Sequence, residues 1–162
     1  MLAPDTACLK GAMLFAGQLG DCVSVVDDAL ADPDPWRGFR TVIEKVCAMH
    51  VADRGFSAAF LTAFPDAVDF ERERERAERG FAVLAQRAKD AGRLRPDFDS
   101  SDLALVLTAN SGVATASPEA AAAASRRLVA LLLQSFSTGD ADEPLPPPVP
   151  LELHHLPRPQ AG

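Results

Sequence analysis

Apolar positions recur at helical spacing along most of the chain, and no run of alternating β-branched residues suggests a strand. The pattern is organised around Asp99 to Ser137, which reads as two helices joined by a tight corner. Asp99 is placed to accept the orphan N–H groups of the first of them, and Asp102 adds negative charge where the helix dipole is positive. Ser117-Pro118-Glu119 opens the second with a side-chain cap, a proline at the first helical position and an acid in the first turn. Leu103, Val106, Leu107, Asn110 and Val113 form one stripe; Leu128, Leu131, Leu132 and Phe136 form the other. Leu105, Val129 and Leu133 spill outside these stripes, as expected of helices covered on more than one side. One core could supply both covers, or a core on one face and a second copy of the chain on the other.

The same spacing predicts a helix from about Ala12 to Leu30, carrying Phe15, Leu19, Cys22, Val23 and Val26. Asp32-Pro33-Asp34-Pro35 breaks the chain and restarts it, with Asp34 as cap. The next helix, ending near Arg54-Gly55, presents Trp36, Phe39, Ile43, Val46, Cys47 and His50. A short helix with Phe56, Phe60, Leu61 and Phe64 stops at Pro65. The longest helix, Val68 to Gly92, sets Phe70, Ala77, Phe81, Leu84 and Ala88 on one face and a charged run on the others, braced at Glu71/Arg74 and Glu75/Arg79. The expected organisation is an irregular arm over 1–13, a helical domain over 14–138 and a proline-rich tail over 139–162. Fold class is all-α.

Composition narrows the function. The 162 residues are 48% hydrophobic and 24% charged, a globular profile long enough for one core. A formal net charge of −7 without a concentrated basic patch argues against holding DNA through phosphates. The run Leu128 to Leu133 is too short to span a bilayer, so no membrane role is expected. Cys8, Cys22 and Cys47 are an odd number without paired spacing, which fits a reducing cytoplasm. Cys47 and His50 lie on neighbouring turns, but no third group is placed to orient the histidine, so neither catalysis nor a metal site is expected. His154-His155 is read the same way, and no cofactor is implied.

The order of elements resembles the C-terminal ligand-binding and dimerisation domain of TetR-family transcriptional regulators, the SbtR-like subgroup in particular. The resemblance rests on the segments Ala31 to Phe39, Ala52 to Gly55, Ala91 to Asp97 and Ser101 to Leu107, and on the proline-rich Leu145 to Leu151. It implies a bundle whose last two helices pair with those of a second subunit, so a homodimer, through Leu103, Leu107, Val113, Leu128, Leu131, Leu132 and Phe136. It also implies a small, mainly apolar effector in a cavity walled by Trp36, Phe39, Ile43, Cys47, His50, Phe60, Phe64, Phe81, Leu84, Val106 and Asn110. His50 is either a core residue or a ligand contact. Asn110 needs a buried partner: protein, water, ligand or the second subunit. Regulators of this kind read DNA through an N-terminal helix-turn-helix. Met1 to Ala12 leaves no room for that unit, so DNA contact is expected only through a domain absent from this chain. The competing expectation is a helical pairing module, forming homo- or heterodimers, that takes no small molecule.

Overall fold

The computed structural model describes residues 20–52, 68–113, 117–139 and 146–147. Among the described residues there are five helical segments: α1 over 20–30, α2 Pro35–Ala52, α3 Val68–Asp90, α4 Asp102–Ser111 and α5 Pro118–Phe136. No strand forms among the described residues; the one bridge there, Leu94 with Ser137, is isolated.

The restart before α2 follows the sequence closely. Asp34 Oδ1 accepts from the N–H groups of Trp36 at 3.0 Å and Arg37 at 3.1 Å, satisfying two orphan donors. Pro35 supplies the preset first-turn φ. Asp32 braces the same corner, accepting from the Asp34 N–H at 2.8 Å and from Nε and Nη2 of the Arg37 guanidinium. Those bonds hold its carboxyl down to about 2.

The hub of the fold is α2 and not the hairpin. It touches α3, α4 and α5 and buries Trp36, Gly38, Phe39, Val42, Ile43, Val46, Cys47 and His50. Its polar edge is narrow, which is why a helix of modest apolar content occupies the centre. α1 reaches it by close backbone approach: a Cβ on Gly38 would stand 2.8 Å from the Ala29 carbonyl oxygen. A Cβ on Gly80 of α3 would likewise stand 2.5 Å from a Val26 methyl. Arg87 donates to the carbonyls of Leu30 at 2.8 Å and Asp32 at 3.3 Å, closing the end of α1.

α3 ends in a Schellman turn: Gly92, at φ 68°, donates to the Lys89 carbonyl, and Arg93 to that of Ala88. Phe98 follows inside a run of turn residues and fills the centre of the core. The start of α4 departs from expectation. Asp99 accepts from the N–H and hydroxyl of its neighbour Ser101, while Asp102 accepts from the Asp99 N–H. The capping side chain is therefore consumed in a local turn, and α4 begins at Asp102. At α5 the expected cap forms, with Ser117 Oγ accepting from the Ala120 N–H at 3.2 Å.

Candidate functional site

The α4–α5 hairpin is anchored from inside. Asn110, fully buried, donates through Nδ2 to the Cys47 carbonyl at 3.0 Å and accepts at Oδ1 from the Ser125 hydroxyl at 2.6 Å. One amide thus ties α2, α4 and α5 together, and the buried partner that Asn110 requires is protein. At the far end Arg95 N–H donates to the Phe136 carbonyl, and Thr138 N–H to that of Arg93. The Arg95 guanidinium, held by Asp97, also donates to the Ser135 carbonyl at 3.4 Å.

The outer face of this hairpin is largely apolar, with exposed Arg127 among its residues. Leu105 is 46% exposed and Leu131 54%. Around them lie exposed Ala109, Ala120 and Ala123 and half-buried Leu128. Residues 120, 124, 128 and 131 share one stripe of α5 at helical spacing. Of the residues expected to pair, Leu128 and Leu131 lie on this face, while Leu103, Val113, Leu132 and Phe136 are half-buried. Leu107 is a correction: at 1% exposure it packs into the chain's own core, because it sits on the Asn110 side of α4. Leu105, which spills outside the stripe and widens the apolar arc, is the exposed leucine of α4.

The residues expected to wall a cavity divide in two. Phe39 is surrounded by rings: Trp36 stacked at 5.6 Å, Phe81 at 5.5 Å and Phe98 edge-on at 5.3 Å. Ile43, Cys47 and Leu84 are fully buried within the same core, and Val106 and Phe81 nearly so. His50, 3% exposed, lies at the opposite end of α2, where burial pushes its pKa down and favours the neutral ring. Phe60 and Phe64 lie outside the described residues. The thiols of Cys22 and Cys47 are pushed up to about 12 by burial, which keeps both protonated and poorly nucleophilic. Phe98 was missed because an aromatic in a non-periodic stretch carries no face signal. A lone Phe among Arg95-Pro96-Asp97 and Asp99-Ser100 is nevertheless the mark of a loop anchor.

A separate groove of about 940 Å³ runs between α2 and α5. Its floor is apolar, including Ala48, Val129 and Leu133, with Trp36 at one end. Of the predicted cavity residues, Trp36 borders it. No His, Cys, Asp and Glu cluster suited to a metal ion occurs among the described residues.

Compared with known families, residues 34–136 match the C-terminal domain of SbtR-like transcriptional regulators. The chain belongs to that family. The match opens on Asp34, the cap of α2, and closes on Phe136, the last residue of α5. This SbtR-like domain therefore comprises the hub helix, α3 and the whole hairpin, with α1 and the tail lying outside the match. It is the C-terminal domain of a TetR-family regulator, a class of regulatory domain. No curated protein matches the chain. No helix among the described residues is long and apolar enough to cross a membrane.

Proposed function

We propose that this SbtR-like domain is the dimer-forming, effector-sensing part of a transcriptional regulator. The observation that carries the proposal is the outward apolar face of α4–α5. Two large leucines stand in water on the very hairpin through which the resemblance implies pairing. An isologous contact of that face with its copy makes a four-helix interface with two-fold symmetry. The alanines beside the leucines permit close approach of the helices.

The effector is small and mainly apolar. Its site lies toward the end of the core where Cys47, His50, Val106 and Asn110 sit and the chain runs on into 53–67. A ligand there bears on α2, and α2 bears on α1 at Gly38. Binding biases the setting of two subunits, and DNA-reading units joined to them would change spacing. The acidic chain itself holds no operator DNA, and its place of action is the cytoplasm. Light scattering of the whole chain at tens of micromolar tests the pairing: a dimer is expected, and a clean monomer would sink the reading.

The ring cluster around Phe81 favours a second reading, a pairing module with no small molecule, because protein rings already fill that space. Thermal-shift screening with apolar compounds separates the two. A stabilising compound whose effect is lost in His50→Phe supports the sensor; a flat screen with intact dimer supports the pairing module.

A further inference from the structure

The α2–α5 groove is used neither by the pairing face nor by the ring cluster, and its two ends are chemically unlike. The flanking helices run antiparallel. Phe39 of α2 meets Phe98, which meets Phe136 at the end of α5, whereas Asn110 joins Cys47 to Ser125 further back. The start of α2 therefore lies beside the end of α5. At this Trp36 end the lining includes Arg40, Arg93, Gln134 and Ser137. At the other end it is Val51, Ala52, Pro118 and Ala122, none of them charged. Lys45 and Arg126 flank the middle, and Glu44 on the same rim is paired with Arg40 at 3.2 Å. Among the described residues no carboxylate forms an ion pair with Lys45, Arg93 or Arg126. The last carbonyls of α5, a source of negative potential at the Trp36 end, are already engaged. That of Phe136 accepts from the Arg95 N–H, that of Ser135 from the Arg95 guanidinium and that of Gln134 from Ser137.

We propose that this groove binds an amphiphilic monocarboxylate, an unbranched aliphatic chain ending in one carboxylate, taken from solution as a monomer. The head lies at Arg93, whose guanidinium fork matches a carboxylate, and the chain runs between α2 and α5 toward Val51 and Ala122. Charge complementarity argues for the head. On a chain of net charge −7, the rim sets Arg40, Lys45, Arg93 and Arg126 against Glu44. Glu44 repels a second negative charge, which favours a monoanion over a dianion. The gradient argues for the tail, because a small anion would leave the apolar end in water and a neutral hydrocarbon would make no use of the cations. Alanines on both walls, Ala48, Ala122 and Ala130, leave room for a slender chain over a floor of Val129 and Leu133. The volume of about 940 Å³ is that of a small-molecule cleft, ~300–1,000 Å³. Such a ligand touches the hub helix and the hairpin together. Its site is on the Arg40, Ala48 and Val51 side of α2, away from His50, so it does not rest on the effector reading.

Trp36 is the chain's only tryptophan and tyrosine is absent, so intrinsic fluorescence reads the groove directly. Decanoate titrated into the whole chain, below the concentration at which it forms micelles, should give a saturable change in Trp36 emission that weakens with added salt. Decanol, the same chain without the charge, should bind about tenfold more weakly, as should decanoate to Arg93→Glu. Ala122→Glu, at the apolar end, should also weaken it, and His50→Phe should leave it unchanged. Both groove variants should keep the helical circular dichroism; should either unfold, the decanoate–decanol comparison on the wild-type chain decides. No saturable change, or equal affinity for decanol, overturns the proposal and leaves the dimer-forming reading untouched. Affinity lost in His50→Phe but kept in Arg93→Glu overturns it in favour of the core end. Equal affinity in Ala122→Glu and wild type puts the chain elsewhere and overturns it too. Phosphatidylglycerol vesicles should leave the emission unchanged; a response matching that of decanoate would make the groove a contact for a lipid surface, and the proposal fails.

Discussion

The α1–α2–α3 side and the α4–α5 hairpin are finished in different ways. On the first side helices meet at glycines, with no room for a Cβ at Gly38 or Gly80. Arg87 closes the end of α1, and an Arg76–Asp27 ion pair at 2.7 Å spans α3 and α1. On the second side the inner face is equally well made, through Asn110 and Phe136, but the outer face leaves Leu105 and Leu131 to water. Apolar surface left open on an otherwise satisfied element marks a place where something else packs. Among the described residues the first side leaves one large apolar side chain open, Val83 at 50%, whereas the hairpin leaves two, and on the proposed reading its outer face is half of a contact.

Changes in the completed core should hurt most. Phe39→Ala empties the centre of the ring cluster and should cost ~3–5 kcal/mol in urea unfolding. Next is Gly38→Ala. The added methyl meets a backbone oxygen, which cannot rotate away, so overpacking of ~1–3 kcal/mol outweighs the ~1 kcal/mol that alanine gains as a helix former. A lower urea midpoint with an unchanged slope is the expected result. If Gly38→Ala raised the midpoint, the close α1–α2 approach would be wrong.

Much of this contrast was legible in the sequence, and the misses have physical causes. Asp34-Pro35 and Ser117-Pro118 announce α2 and α5 because capping is local chemistry. The hub role of α2 was not legible, since periodicity reveals an apolar face but not how many neighbours share it. Asp99 was misjudged because a nearby Ser101 offers its side chain a shorter-range partner than the helix does. Leu107, expected to pair, went into the core, and Leu105, noted only as lying outside the stripe, is exposed, for a related reason. α4 is so apolar all round that its pattern does not say which side faces in; Asn110, bonded to Cys47 and Ser125, decides it. The cavity set was read from large apolar residues, which are also the residues that fill cores. Phe39, Ile43 and Leu84 do the latter.

Leu131→Glu sharpens the comparison from the other side. Its side chain is 54% exposed, so unfolding of the separated chain should shift by less than ~0.5 kcal/mol. Self-association should nevertheless be lost in light scattering, because two carboxylates would be forced together across a two-fold axis. Leu105→Glu is expected to do the same. Leu107→Glu should instead fail to fold, being a charge placed in the core. A Leu131→Glu protein that stays dimeric would remove this face from the interface.

The smallest effect is a titration. Asp32 braces the completed corner, and its hydrogen bond from Arg37, then that from the Asp34 N–H, lower its pKa from 3.8 to about 2. The folded chain therefore binds this proton less readily than the unfolded one, and stability rises with pH through the interval between those values. The contribution is fully present above 3.8 and is lost as pH falls through about 2. The pair is solvent-screened, so the change should be slight. Asp99, at the entrance to the hairpin, is lowered as well, through its bonds from Ser101, so the wild-type acid limb is a composite. Asp32→Asn keeps an oxygen for the Asp34 N–H but removes the charge that Arg37 holds. Its urea midpoint should fall off less steeply than wild type between pH 4 and 2, leaving the part due to Asp99 and other carboxylates. An acid limb identical in Asp32→Asn and wild type would show that the Asp32–Arg37 bond does not hold the corner between α1 and α2.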